Sequence, residues 1–219
     1  MKNPKKFFYN CMSFCFLFTI ASIILLVDSS CEKNGLLESN NPEKYYPLSV
    51  GNFWVYESSY TTNGGNKASI GTDSIVVKKD TIMRGQTYYL VEGTFLGNRP
   101  YKEYLTYVKQ RVISINGKVW FEGTDFGSIV NSYASVIGQD TSYSEKFYME
   151  RPGLGVSVPA GKFETLALVG IYKNPTVSDQ VNIHAEWHYA KDIGLIRVFS
   201  DYITAKYIIE MDLVEYHVE

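Results

Sequence analysis

The sequence predicts a mainly β protein, a single antiparallel and strongly curved sheet (half-barrel or sandwich) that follows a signal peptide. Three observations predict it. From Tyr46 onward the chain is rich in Tyr, Val, Ile, Phe and Thr, the residues that fit a pleated, half-buried surface. Apolar and polar residues alternate with period two, which gives a strand one dry and one wet face. Turn residues punctuate the pattern at short intervals: Asn63-Gly64-Gly65-Asn66, Gly97-Asn98-Arg99-Pro100, Asn116-Gly117 and Pro159-Ala160-Gly161.

The first element is residues 1–30. Lys2, Lys5 and Lys6 precede an uncharged, proline-free run from Cys11 to Val27. A basic end followed by an apolar core directs secretion, because the cationic end stays cytoplasmic while the apolar stretch enters the membrane. That core is 17 residues long, short of the about 20 that a permanent span needs. The small residues Ser29 and Ser30 behind it favour cleavage.

Cysteine usage sharpens the site of the cut. Cys11, Cys15 and Cys31 are the three cysteines, and two of them leave with the signal. A mature chain starting at Cys31 holds one thiol and forms no intrachain disulfide, so that thiol needs another use. Val27-Asp28-Ser29-Ser30-Cys31 resembles a bacterial lipobox, in which the cysteine is acylated and becomes the first residue. Asp28 departs from the motif, where an apolar residue is usual. Glu32 is similar to the acidic surface-export signals of Bacteroidota lipoproteins. The resemblance implies a membrane partner through acylated Cys31 and an outer-membrane address, since acyl chains add about 0.8 kcal/mol of membrane affinity per buried CH₂.

Residues 31–45 are polar and are expected to be a flexible tether, leaving 46–219 as one antiparallel β domain. Without the signal the chain carries 18 basic and 22 acidic residues, a net charge of −4 with no run of like charges. Nucleic-acid binding is excluded on that ground, because it needs clustered Lys and Arg.

Within the domain, Arg111–Ile115 and Lys118–Phe121 flank Asn116-Gly117 and predict a hairpin with a type I′ turn. Ser128–Ile137 carries Ile129, Val130, Tyr133, Val136 and Ile137 at helical spacing and predicts a short helix. Pro159-Ala160-Gly161 predicts a turn between GVSV and KFETLALVGIY. In Val181–Ala190, Ile183, Ala185, Trp187 and Tyr189 share a dry face, while Asn182, His184, Glu186 and His188 share a face expected to meet water. In Ile203–Leu213 the dry face is Ile203, Ala205, Tyr207, Ile209, Met211 and Leu213. Roughly eight to ten such strands are expected.

Three stretches, YYPLSVGNFWVYESSY (45–60), VSVPAGKFETLALV (156–169) and WHYAKDIGLIRV (187–198), resemble a pattern in Bacteroidota lipoproteins of uncharacterised function. There an opening PLxxGNxWxY strand, a VPAGxFxT hairpin and a WxAxxxGL strand follow in this order. The resemblance implies a curved β fold in the cell envelope, with a bulge marked by Gly194, and it implies no activity.

Chemistry-bearing residues are few. His184, Glu186 and His188 lie at i, i+2 and i+4, so neighbours on a strand are about 6.5–7 Å apart and are weak candidates for a metal, for which a third ligand is missing. No metal site and no cofactor is assigned. Gly155-Val156-Ser157-Val158-Pro159 begins like a nucleophile elbow but lacks its last glycine. Glu103 with Glu122 or Asp125 are carboxylates whose separation decides whether they form a dyad. No catalytic residue is assigned. Aromatics in strand-like stretches offer a candidate ligand face of Trp54, Tyr56, Trp120, Trp187 and Tyr189. The expected function is a lipid-anchored envelope module that binds a lipid, a glycan or a protein, or serves as a structural part. The alternatives are an envelope hydrolase using carboxylates or a metal near His184 and Glu186, and an accessory subunit of a surface complex.

Overall fold

The computed structural model describes residues 40–62, 64–137, 140–151, 155–173, 183–201 and 207–219. The signal, Cys31 and residues 31–39 of the tether lie outside the described residues, as do Val181, Asn182, Ile203 and Ala205. The chain enters through a four-residue helix, α1 (Pro42–Tyr45), and continues as strands β1 (Phe53–Thr62), β2 (Lys67–Met83), β3 (Gln86–Phe95), β4 (Arg99–Val108), β5 (Arg111–Ser114) and β6 (Val119–Glu122). Then follow β7 (Ile129–Ile137), β8 (Asp140–Glu150), β9 (Val156–Val158), β10 (Gly161–Phe163), β11 (Thr165–Lys173), β12 (Ile183–Ala190), β13 (Gly194–Asp201) and β14 (Tyr207–His217). Twelve of these strands form one antiparallel sheet in the order β6-β5-β4-β3-β2-β1-β14-β13-β12-β11-β8-β7, while β9 and β10 make a separate hairpin. The sheet is nearly closed into a barrel, and its strands outnumber the expected eight to ten.

Bulges supply the curvature. Ile70 and Lys78 are extra residues on β2 against β1 and β3, and Ile196 is extra on β13 against β12. An extra residue bends its strand and increases twist. Gly194, the expected bulge marker, is two residues from the bulge itself. Its φ of +102° and missing side chain let Pro47 and Trp54 approach, where a Cβ would lie 3.2 Å from Pro47 Cδ. At Gly93 a Cβ would lie 1.8 Å from the Ser74 carbonyl oxygen, so only glycine lets β3 leave β2 there.

Ser128–Ile137 is strand β7 rather than a helix. Val130 is an extra residue on β7 between the Ile129–Tyr148 and Asn131–Phe147 pairs, and this break in the period of two leaves a mixed spacing that imitates a helical stripe. The Asn116-Gly117 hairpin forms as expected, but its turn differs. Gly117 N–H donates to Ser114 O at 2.9 Å and Ser114 N–H to Lys118 O at 2.8 Å. Gly117 has φ +82° while Asn116 is not among the residues with positive φ. That is a three-residue loop closed by a left-handed glycine, which wants one positive φ where type I′ wants two.

Strands β6 and β7 are the two edges of the sheet, and no backbone ladder joins them. Asn131 bridges them instead: Val119 N–H donates to its Oδ1 at 2.9 Å and its Nδ2–H donates to Val119 O at 2.7 Å. A primary amide places an N–H donor and a C=O acceptor side by side on a planar group, as a peptide unit also offers both. It therefore substitutes for a neighbouring strand and satisfies both backbone groups. Asn131 is buried.

The other end of the described chain is a strap, Asn40–Val50, laid across one end of the barrel. It begins six residues before the boundary expected at Tyr46. Asn41 caps α1 by accepting from Glu43 N–H at 3.1 Å, and Pro42 starts the helix where its missing N–H costs nothing. Asn40 N–H and Nδ2–H both donate to Gly123 O, and a Cβ on Gly123 would lie 2.0 Å from the Asn40 carbonyl. Tyr45 stacks on Phe121 at 5.3 Å and Tyr46 packs on Tyr189 at 5.6 Å. The Tyr107 hydroxyl donates to Tyr46 O and accepts from Leu48 N–H.

The seam yields a prediction. Asn131→Ala leaves the Val119 N–H and C=O unpaired in a buried position, and is expected to lower the unfolding free energy by about 2 kcal/mol. Urea denaturation of both proteins checks this, and equal midpoints contradict it.

Candidate functional site

The barrel interior has two unlike halves. At the strap end it is filled by aromatic rings, apart from one small cavity. Trp54 Nε1–H donates to Ile193 O at 2.7 Å and Tyr56 hydroxyl to Leu195 O at 2.9 Å. Tyr189 lies between the rings of Tyr46 and Phe121. A cavity of about 20 Å³ lined by Tyr46, Trp54, Tyr56, Ile75 and Val91 has room for about one water. Burial pushes the hydroxyls of Tyr46, Tyr56 and Tyr189 far up, so they remain neutral phenols.

The opposite end, the mouth, holds charge. Lys118 follows the β5–β6 turn, Glu103 lies on β4 and Glu145 on β8. Lys118 Nζ sits 3.8 Å from the centre of the Trp120 ring and 6.0 Å from that of Phe147. Burial lowers the Lys118 pKa, with Glu103 and Glu145 opposing; burial raises both carboxyls, with Lys118 opposing. These groups act on one another's charge, yet among the described residues no ion pair ties Lys118 to either. Tyr101 and Tyr133 line the same region. Tyr101 meets Trp120 edge-on at 6.3 Å, and Tyr133 meets Phe147 edge-on at 6.0 Å.

Part of the mouth is covered by the β3–β4 turn. Leu96, Gly97 and Asn98 all have positive φ, 50°, 85° and 63°, which only the glycine adopts without strain. Buried Asp73 holds them: it accepts from Gly97 N–H and Asn98 N–H at 2.8 Å each and from the Ser58 hydroxyl at 2.5 Å. Between this turn and the β1–β14 pair is a hollow of about 300 Å³ lined by Tyr60, Ile70, Leu96, Arg99, Tyr207 and Ile209.

The five residues of the candidate ligand face all turn inward, on two levels. Trp54, Tyr56 and Tyr189 belong to the packed half. Trp120 and Trp187 lie on the mouth side, each 7% exposed, with their Nε1–H groups unpartnered. Lys118 and Glu145 were not among the candidates, because a lysine after a turn and a glutamate on a strand carry no sequence mark that separates lumen from surface.

The face carrying Glu186 and His188, expected to meet water, is only partly open to it: the Glu186 side chain is 28% exposed. His188 is 7% exposed. Its Nδ1 lies 3.2 Å from Thr165 Oγ1 and its Nε2 2.6 Å from Glu186 Oε2. Next in register, Arg197 binds Asp212 at 2.6 Å and donates to Ser157 O of β9 at 2.9 Å. The β9–β10 hairpin thus covers part of the outer sheet, and polar residues beneath it are hydrogen-bonded rather than hydrated. The His184 side chain lies outside the described residues, and among those described no three His, Cys, Asp or Glu side chains are grouped to hold a metal.

Glu122 is committed to structure. It is buried and accepts from Arg111 Nε, from Thr124 N–H at 2.9 Å and from the Thr124 hydroxyl at 2.7 Å. Burial alone would raise its carboxyl, but Arg111 and Thr124 outweigh burial and hold it below the usual carboxylate range.

No protein-family model matches the chain, and no curated protein does. Among solved structures, one similar protein is from Bacteroides fragilis and is described as exported, with a YmcC-like fold. It is 11% identical with a TM-score of 0.49, over 79% of this chain and 98% of that one. Another, from Parabacteroides distasonis, is described as a lipoprotein. It is 12% identical with a TM-score of 0.41, over 79% of this chain and 98% of that one.

Glu122 gives a pH prediction. A carboxyl whose folded pKa is depressed adds stability that is fully present above its unfolded pKa and is lost as pH falls through the folded value. Wild-type protein is expected to lose this contribution as the pH drops below about 4.5. Glu122→Gln is expected to be about 2 kcal/mol less stable at neutral pH and to lose less on acidification. Thermal melts from pH 7 to pH 3 check this, and parallel curves contradict it.

Proposed function

We propose that this chain is a lipid-anchored protein of the bacterial cell envelope, held at the outer membrane through acylated Cys31, which binds a small ligand in the mouth of its barrel. The observation that carries the binding reading is the asymmetry of the interior. One end is filled by rings and sealed by the strap. The other keeps a hollow of about 300 Å³ and a half-buried ammonium on which two carboxylates act, and of the buried groups without partners the Trp120 and Trp187 indoles lie here while the Tyr189 hydroxyl lies at the sealed end. Interiors built only for stability pair such groups or exclude them.

Support for the anchor is in the sequence: a basic start, an apolar core of 17 residues, small residues and a cysteine left without a disulfide partner. The chain enters the barrel domain at the sealed end, where Asn40 is bonded to Gly123. Lasting attachment needs more than one acyl chain, which lipobox processing supplies.

Cys31→Ser tests the anchor. Expressed in its native host, wild-type protein is expected in the membrane fraction and to incorporate an alkyne-bearing fatty acid. The variant is expected to lose the label and leave that fraction. An unlabelled wild-type protein in the soluble fraction contradicts the proposal.

A further inference from the structure

The unsatisfied groups of the mouth define the ligand they would take. The chain has three tryptophans. Trp54 donates its N–H to Ile193 O, whereas Trp120 and Trp187 are also buried and donate to nothing. A buried donor without an acceptor costs about 1–3 kcal/mol, so these two positions are destabilising unless an outside oxygen reaches them. They belong to one region: Lys118 Nζ is 3.8 Å from the Trp120 ring centre and 6.0 Å from that of Phe147, and Phe147 is 5.8 Å from Trp187. Glu103 and Glu145 act on Lys118 from β4 and β8.

Three kinds of ligand can be weighed against this set. An anion would be attracted by Lys118 but repelled by two carboxylates, and the cluster is net negative. A cation would meet an ammonium already seated on the Trp120 face. A neutral polyhydroxylated ring suits all the groups together, because each hydroxyl both donates and accepts while the C–H face of the ring packs on aromatic surface.

We propose that the mouth binds a sugar, whose hydroxyl oxygens accept hydrogen bonds from the Trp120 and Trp187 indoles and from Lys118, and whose hydroxyls donate to Glu103 and Glu145. This rests on the binding reading above and narrows it to a ligand class. The strap-end residues Trp54, Tyr56 and Tyr189 take no part.

The test is the indole N–H region of a nitrogen-15 NMR spectrum of the full chain in detergent micelles, with the three cross-peaks assigned by single Trp→Phe variants. The probes are glucose, galactose and N-acetylglucosamine at millimolar concentration, then inorganic phosphate and laurate. At least one sugar is expected to move the Trp120 and Trp187 peaks while the Trp54 peak stays. Lys118→Met and Glu145→Gln are each expected to weaken the sugar response about tenfold, the loss of one charge-assisted hydrogen bond. Lys67→Met, on an exposed ion pair with Glu210, is expected to leave it unchanged. A response to phosphate or laurate but to no sugar overturns the sugar proposal and leaves ligand binding in the mouth standing. Two peaks that none of the probes moves overturn both.

Discussion

A sheet of twelve antiparallel strands has two edges, and the architecture depends on how they are joined. Unpaired edges invite association with other chains. In this protein they are brought together, and a single carboxamide, Asn131, pairs with both backbone groups of Val119. The bulge before Asn131 turns it inward to reach them. Closure then sets an inside and an outside, and it makes alternate residues of every strand share one lumen. A side chain serves where a ladder would, between the four-residue β6 and the bulged start of β7.

Once closed, so wide a sheet encloses more volume than aliphatic side chains fill. The chain fills one half with rings and with its own strap. Tyr107 is central to that arrangement, since its hydroxyl bonds both Tyr46 O and Leu48 N–H and thereby ties strap to wall. Gly123 and Gly194 provide the clearance. The other half is lined instead of filled. The β3–β4 turn, held in left-handed conformation by Asp73, narrows the entrance. Residual strain at Leu96 is tolerated because a buried carboxylate accepts three hydrogen bonds there.

Much of this architecture was legible in the sequence. Alternation in Ala185, Trp187 and Tyr189, and in Ile209, Met211 and Leu213, identified the inward faces, because burial on one side writes a period of two. The RVISI-NG-KVWF hairpin was legible for the same reason, though the turn type was not, since Asn-Gly serves both a type I′ turn and a loop closed by one left-handed glycine. Ser128–Ile137 read as a helix because a bulge at Val130 resets its phase. His188 read as solvated because the β9–β10 hairpin covers part of the outer sheet, and such cover leaves no trace in local pattern. The mouth was half legible: Trp120 and Trp187 stood out as aromatics, while Lys118, Glu103 and Glu145 are brought together only by strands far apart in sequence.

Amide hydrogen exchange, read residue by residue, tests most directly whether the barrel is sealed by its strap at one end and latched at the seam. Slow exchange is predicted at Leu48, whose N–H is held by Tyr107, and at Val119, whose N–H is held by Asn131, with faster exchange in the turn at residues 115–117 beside the mouth. If Val119 exchanges as fast as that turn, the seam is open in solution and the molecule is a half-barrel. If Leu48 does so, the strap does not seal it.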